Sequence, residues 1–285
     1  MVSLYQEARA ALRESAFKLR KRLGQHFLVH ERVIEAILRL IDVSQEDEII
    51  EIGPGLGFLT RRLAEVARKV WAIEVDTFLA EWLQRGPLGS HPAFHLVHGD
   101  ILTVDLSAVL PDHKIKCVGN LPYSISTPVL FRLFEERDRF SLLVLMVQRE
   151  VAERMDASPG TKSYGTLSIW CQIHGQILDK VSVSPEAFFP RPKVRSTVLR
   201  IRLYPEPLVP EEDLSALRGL VRAAFGQRRK TLSNALGGWL KRGRGEIEVW
   251  LRREGIDPRR RGETLTVHEF IRLARTLKTE LSADS

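Results

Sequence analysis

"EIIEIGPGLGFLTRRLAEVA", residues 48–67, decides the fold. "EIIEI" (48–52) reads as a buried strand and "FLTRRLAEVA" (58–67) as a helix. "EIGPGLG" (51–57) joins them. Three glycines at alternate positions let the backbone turn sharply and let a ligand approach it closely. The helix behind the loop offers free N–H groups. The spacing is G-x-G-x-G, not the G-x-G-x-x-G of dinucleotide binding. A structural turn would use the same glycines, so the loop needs corroboration from the next strand ends.

Outward from this unit, strand and helix patterns alternate. "ERVIEAILRLI" (31–41) places Val33, Ile34, Ile37, Leu38 and Ile41 on one helical face. After the loop come the strand "KVWAIEV" (69–75), the helix "TFLAEWLQR" (77–85) and the strands "AFHLVHG" (93–99) and "KIKCVG" (114–119). A helix from about Thr127 precedes a fifth strand, "FSLLVLMVQ" (140–148), which runs into "REVAERM". That order predicts an α/β protein with βαβ units and a parallel sheet. "TLSIWCQIHG" then reads as a helix, and "ILDKVSV" and "STVLRIRL" as two more strands. "SPEAFFPRPKV" lies between those strands, and its prolines argue against regular structure there. "PEPLVPEED" reads as a hinge, with helices expected beyond it at 211–225, 228–241, 246–254 and 266–279. The expected boundary falls near 206, giving domains 1–206 and 207–285. Residues 1–17 suggest a loosely amphipathic helix.

The composition narrows the classes. The longest apolar run, "LLVLMV" (142–147), is far shorter than the roughly 20 residues that span a bilayer. With two cysteines in the sequence, Cys117 and Cys171, neither a disulfide framework nor a metal-ligand cluster is expected. A reduced, cytoplasmic protein is the reading; a monomer is the default. The net charge of +7 is uneven: about +4 over 1–30, −2 over 31–210 and +5 over 211–285. Basic flanks suit a polyanion, because each Lys or Arg near a phosphate releases counterions. A solvated surface is the plainer alternative.

Two acids corroborate the glycine loop. Glu74 ends the second strand, where a carboxylate can hold ribose hydroxyls. Asp100 ends the third, where it can accept an adenine amino proton. NAD suits the first but leaves Asp100 and the following "NLPYSISTP" (120–128) unexplained. S-adenosylmethionine suits them all, since a methyl donor needs an acceptor pocket beside its sulfonium. Adenine N6 is a poor nucleophile that needs hydrogen-bond acceptors rather than a strong base. The Asn120 side-chain oxygen and the Leu121 carbonyl are two such acceptors. Pro122 stiffens the turn, and Tyr123 offers a ring for the base to stack on, worth about 1–3 kcal/mol. A turn with one core tyrosine is the bland alternative.

These blocks carry a resemblance. "KRLGQHFL" (21–28), "EIGPGLGFLT" (51–60), "AIEVD" (72–76), "GDIL" (99–102), "NLPYSISTP", "QREVAERM" (148–155), "YGTLS" (164–168), "FFPRPKV" (188–194) and "AFGQRRKTLSNAL" (224–236) occur in order. Together they resemble the KsgA (RsmA) family of ribosomal RNA adenine dimethyltransferases. The resemblance implies a Rossmann-like class I methyltransferase domain with a mostly parallel seven-stranded sheet. It also implies a small all-α C-terminal RNA-binding domain and S-adenosyl-L-methionine as cofactor. The substrate implied is two adjacent adenines in a 3′-terminal hairpin of 16S rRNA, in a small ribosomal subunit precursor.

Carried over by position, the cofactor contacts fall on His26, Leu28, Gly53, Gly55, Glu74, Asp100 and Asn120. Many relatives carry Asn in place of His26. The target platform falls on Asn120, Leu121, Pro122 and Tyr123, with Phe188 or Phe189 closing on the base from the other side; a hydrophobic loop anchor is the alternative for those two. RNA contacts are expected at Arg20, Lys21 and Arg22 and at Arg228, Arg229 and Lys230. The last three are read as a basic helix start that an anion would relieve. "PRRRG" (258–262) is a weaker case. Arg195 departs from the acidic residue commonly found after "PKV" and reads as an RNA-facing charge. Competing readings are an Erm-type large-subunit rRNA methyltransferase, a non-catalytic RNA-binding assembly or transcription factor on this fold, and a nicotinamide oxidoreductase, for which no hydride-site residues are apparent.

Overall fold

The computed structural model describes residues 3–14, 24–206 and 208–282. The chain forms two compact units: Met1–Ala152 with Gln176–Leu203, and Glu153–Gly175 with Tyr204–Ser285. The expected division near 206 therefore differs by one segment. Residues 153–175 belong with the C-terminal helices.

The first unit begins with α1 (Leu4–Glu14), β1 (Phe27–Leu28) and α2 (Glu31–Ile41). Then follow β2 (Glu48–Ile52), α3 (Phe58–Ala64), β3 (Lys69–Glu74), α4 (Thr77–Arg85), β4 (Phe94–His98), α5 (Leu106–Val109), β5 (Ile115–Asn120), α6 (Ser126–Glu135) and β6 (Phe140–Gln148). Helices α7 (Arg149–Met155) and α8 (Thr166–His174) intervene before β7 (Gly175–Val183), β8 (Phe188–Phe189) and β9 (Ser196–Leu203). Seven strands form one sheet in the order β4-β3-β2-β5-β6-β9-β7. The pairs from β4 through β6 are parallel, and β9 runs antiparallel to β6. The α/β architecture expected from the alternating pattern is present, and the seven-stranded sheet is mostly parallel, as the resemblance implied. Ile49, Ile50 and Ile52 of β2 and Leu143 to Val147 of β6 are buried on both faces, as helix-covered parallel strands require. Edge strand β4 is partly exposed instead.

Strand order reverses beside β2: β3 and β4 lie to one side, β5 and β6 to the other. Such a switch point opens a crevice at the C-terminal ends of the strands. Gly119 keeps β2 and β5 close there, since a Cβ on it would lie 2.9 Å from Ile52 O.

The proline-bounded stretch does contain regular structure. β8 pairs antiparallel with β1, Phe27 opposite Phe189 and Leu28 opposite Phe188. The prolines flank the pair without occupying it, so both phenylalanines keep their N–H groups.

In the second unit α8 is apolar almost all round and buried, from Leu167 to His174 except Gln172. A helix of that kind belongs in a core, and it packs against α9 (Glu211–Gly226) and α12 (Val267–Ser282). Between those two lie α10 (Leu232–Leu240) and α11 (Arg244–Arg253). Tyr164 is fully buried, and its hydroxyl donates to Leu265 O at 2.9 Å. Its ring meets Phe225, which stacks on Phe270, at centroid separations of 5.8 and 5.9 Å. No helix among the described residues is long and apolar enough to cross a membrane.

Candidate active site

A cavity opens at the C-terminal ends of β2, β3, β4 and β5. Its lining includes Gly53, Gly55, Glu74, Asp100, Asn120 and Tyr123, all nominated from the sequence. His26, Leu28, Leu121 and Pro122 also line it. Successive parallel strands deliver one polar side chain each to the same edge, and this brings together residues nearly 70 positions apart.

The glycine loop needs its glycines. Gly53, Gly55 and Gly57 have φ of 68°, 59° and 81°, values L side chains rarely adopt. A Cβ on Gly55 would lie 2.9 Å from the Phe27 ring. That ring roofs the loop because segment 24–28 is stitched across the sheet edge. Gln25 Nε2 donates to Asp76 Oδ2 at 3.2 Å, and Asn120 Nδ2 donates to His26 O at 2.9 Å. His26 Nδ1 donates to Pro190 O at 2.7 Å, which leaves Nε2 as the other ring nitrogen.

Glu74 is held rather than merely present. Its Oε2 accepts from Gly55 N at 3.2 Å and its Oε1 from Asp76 N at 2.9 Å. Asp76, which the sequence reading did not name, also caps α4 through Phe78 N and Leu79 N. Burial pushes the Glu74 carboxyl up to about 7, against the hydrogen bonds that lower it. Glu51, on the neighbouring strand β2, was also missed. It is buried, lines the cavity, and has an Oε2 with no hydrogen-bond partner among the described residues. Burial first, and the nearby Glu74 charge as well, push it up to about 7. The signal was in the sequence, since an acid inside an otherwise apolar strand is out of place.

Asp100 spends Oδ1 on Leu102 N at 2.9 Å, and its other oxygen remains available. Val75 and Ile101 line the cavity directly after Glu74 and Asp100. Val75 is 42% exposed, a flat apolar wall beside two acids.

At the end of β5, the Leu121 N–H donates to Met146 O at 3.0 Å and anchors the turn to β6. Tyr123 is half-buried, and its hydroxyl shares a 2.7 Å hydrogen bond with Ser196 Oγ. Burial raises its phenol above the ordinary value, and the Ser196 bond partly offsets this. The His26 ring lies beside it, centroids 5.3 Å apart and planes tilted 31°.

Three expectations change. Phe188 is 1% exposed within the hydrophobic core, so it has no face to offer a base. Phe189 is half-buried, and Tyr5 meets it edge-on at 5.2 Å. Of the two anchor readings, Phe188 takes the structural one. Arg228 is also occupied: Nε reaches Glu263 Oε2 at 3.1 Å, and its terminal nitrogen reaches Lys162 O and Tyr164 O, each at 3.1 Å. "QRRKTL" does not open a helix either. Residues 227–231 form a turn between α9 and α10, where the end of α9 favours cations. Arg229 and Lys230 are exposed on that turn. In "PRRRG", Arg259 pairs with Asp257 and Arg260 with Glu269. Arg20, Lys21 and Arg22 lie outside the described residues.

The cavity fits S-adenosylmethionine on chemical grounds. It offers a positioned carboxylate for a diol, a second for an aromatic amine, an apolar wall, and a buried carboxylate oxygen that lacks a donor or cation.

The comparisons agree. The Ribosomal RNA small subunit methyltransferase A of Clostridium botulinum (strain Loch Maree / Type A3) is 43% identical over 259 residues, covering 90% of this chain and 94% of that protein. The protein of the same name from Geobacter metallireducens is 43% identical over 270 residues, covering 93% and 98%. Among solved structures, a dimethyladenosine transferase from Plasmodium falciparum matches with a TM-score of 0.76 at 25% identity, covering 90% of this chain and 98% of that one. The 23S rRNA methyltransferase ErmE matches with a TM-score of 0.65 at 26% identity, covering 88% and 99%. A profile described as "Ribosomal RNA adenine dimethylase" matches residues 16–279, and with that span matched the chain belongs to the ribosomal RNA adenine dimethylase family.

Proposed function

We propose that this protein transfers methyl groups from S-adenosylmethionine to the N6 amino groups of two adjacent adenines in a 3′-terminal hairpin of 16S rRNA, during small-subunit biogenesis. Family membership and the small-subunit name of its relatives support the substrate class. One observation carries the chemistry: Asn120 spends its amide nitrogen on His26 O, so its oxygen is the end left for a ligand.

S-adenosylmethionine, when bound, supplies a methyl group made electrophilic by its sulfonium. The rest falls to the chain. Glu74 holds the ribose hydroxyls through the oxygens that Gly55 and Asp76 already orient. Asp100 takes the adenine amino group with its free oxygen. The flat face of Tyr123 receives the target base, and the Ser196 bond keeps the ring from rotating away. The oxygen of Asn120 and the carbonyl of Leu121 draw the target N6 out of conjugation and steady the positive charge it gains. Much of the rate comes from holding that nitrogen in line with the methyl carbon. The phenol of Tyr123 stays neutral throughout, since burial raises it.

Mass mapping of small-subunit rRNA after incubation with labelled S-adenosylmethionine tests the reading. Label on two neighbouring adenines of a 3′ hairpin is expected. Label on large-subunit rRNA instead, or none on either, overturns it.

A further inference from the structure

The loop between β8 and β9 is tied to the base platform at both ends. At one end Pro190 O accepts from His26 Nδ1 at 2.7 Å. At the other, Ser196 Oγ bonds the Tyr123 hydroxyl at 2.7 Å. The His26 and Tyr123 rings lie beside each other, so the five intervening residues run along the rim of that pair. Arg149 N donates to Arg195 O at 3.0 Å, and Pro192 is buried, so the loop is seated.

Its outward side chains are Arg191, Lys193 and Arg195, all exposed. None of the three makes an ion pair among the described residues; Arg195 touches only the neutral Ser182 hydroxyl, at 3.3 Å. Among the cations chosen from sequence, Arg228, Arg259 and Arg260 each have a carboxylate partner, whereas Arg229 and Lys230 are exposed on their turn. Three unneutralised cations over five residues repel one another, and a run of phosphates relieves them.

We infer that Arg191, Lys193 and Arg195 form a phosphate-binding rim that grips the RNA backbone beside the adenine seated on Tyr123. The inference deepens the proposed function and rests on its placement of the target base. The rim fixes the strand by its charge and reads no sequence. Its cations meet the strand outside the cavity, so they govern capture of RNA rather than methyl transfer.

The test uses the full chain and a fluorescent RNA hairpin carrying two adjacent adenines, with binding read without turnover across a salt series. The R191A/K193A/R195A variant should bind roughly thirtyfold more weakly near physiological salt, and the slope of log K against log salt should shrink by about 2. Its KM for the hairpin should rise with kcat nearly unchanged. Calorimetry with S-adenosylhomocysteine should match the wild type, which excludes misfolding. A charge-matched control, R39A/R85A/K114A, should keep the wild-type slope. An unchanged slope in the rim variant, or an equal loss in the control, overturns the rim. Wild-type protein that binds the hairpin but never methylates it overturns the proposed function instead, and the salt slope still decides the rim.

Discussion

Asn120 Nδ2 donates to the main-chain oxygen of His26 at 2.9 Å, and this bond decides which end of the amide faces the cavity. A carbonyl accepts only from the NH2 group, so Oδ1 is turned toward the ligand. The residue that closes one edge of the site thus also orients its principal acceptor. Asn120→Ala should abolish methyl transfer while weakening S-adenosylhomocysteine by less than about tenfold, as one lost hydrogen bond of about 1 kcal/mol implies. Full turnover by this variant would remove the proposed chemistry.

Ser196 supports Tyr123 from outside the cavity. Ser196→Ala should lower kcat by roughly tenfold or less and leave cofactor affinity unchanged, since one neutral hydrogen bond is lost. In a double-mutant cycle with Tyr123→Phe the two effects should not add. Additive losses would show that the bond has no part in placing the ring.

Gly55 is pinned by its backbone and by the Phe27 ring. Gly55→Ala places a Cβ at φ 59° and 2.9 Å from that ring. The conformational cost alone is about 1–2 kcal/mol. Cofactor affinity should fall at least tenfold by calorimetry, with little change in the RNA-binding salt slope.

Glu51 and Glu74 give the ligand-free protein a pH signature. Both carboxyls are raised to about 7 when folded, so the folded state holds protons that the unfolded state releases above about 4.5. Their contribution is present below the unfolded value and is lost as pH rises toward 7. Stability of the free protein should therefore fall over that window. Glu51→Gln should flatten the slope and stabilise the free protein at pH 8. Thermal denaturation at several pH values reads this; the part of the slope due to Glu74 should remain, and a slope as steep as the wild type's counts against it.

Arg228 should behave as a structural residue. It joins the 162–164 segment to Glu263 inside the second unit. Arg228→Ala should lower the melting temperature by several degrees, as a loss of 1–3 kcal/mol implies. Arg228→Lys should not restore it, because an ammonium cannot reproduce the guanidinium fork. A large fall in RNA affinity at unchanged stability would return Arg228 to the RNA interface.

The sheet, its order of elements, the cavity acids Glu74 and Asp100 and the turn after β5 were legible in the chain itself. β6 and β9 were read to the residue, at 140–148 and 196–203. Periodicity reports which face of a segment is buried, and G-x-G-x-G with acids at successive strand ends is a local pattern. What tertiary structure decided were the facts that depend on partners distant in sequence. The fate of Arg228 rests on Glu263, 35 residues away, and the amide of Asn120 is turned by His26, 94 residues away. Charge in a sequence states how many cations exist, but neutralisation is a matter of distance. For that reason Arg228 looked in the sequence like a free cation, and the loop at 191–195, whose three cations make no ion pair among the described residues, did not stand out as one unit. Burial of Phe188 and exposure of Val75 follow the same rule, since a side chain's surroundings are set by the elements that fold over it.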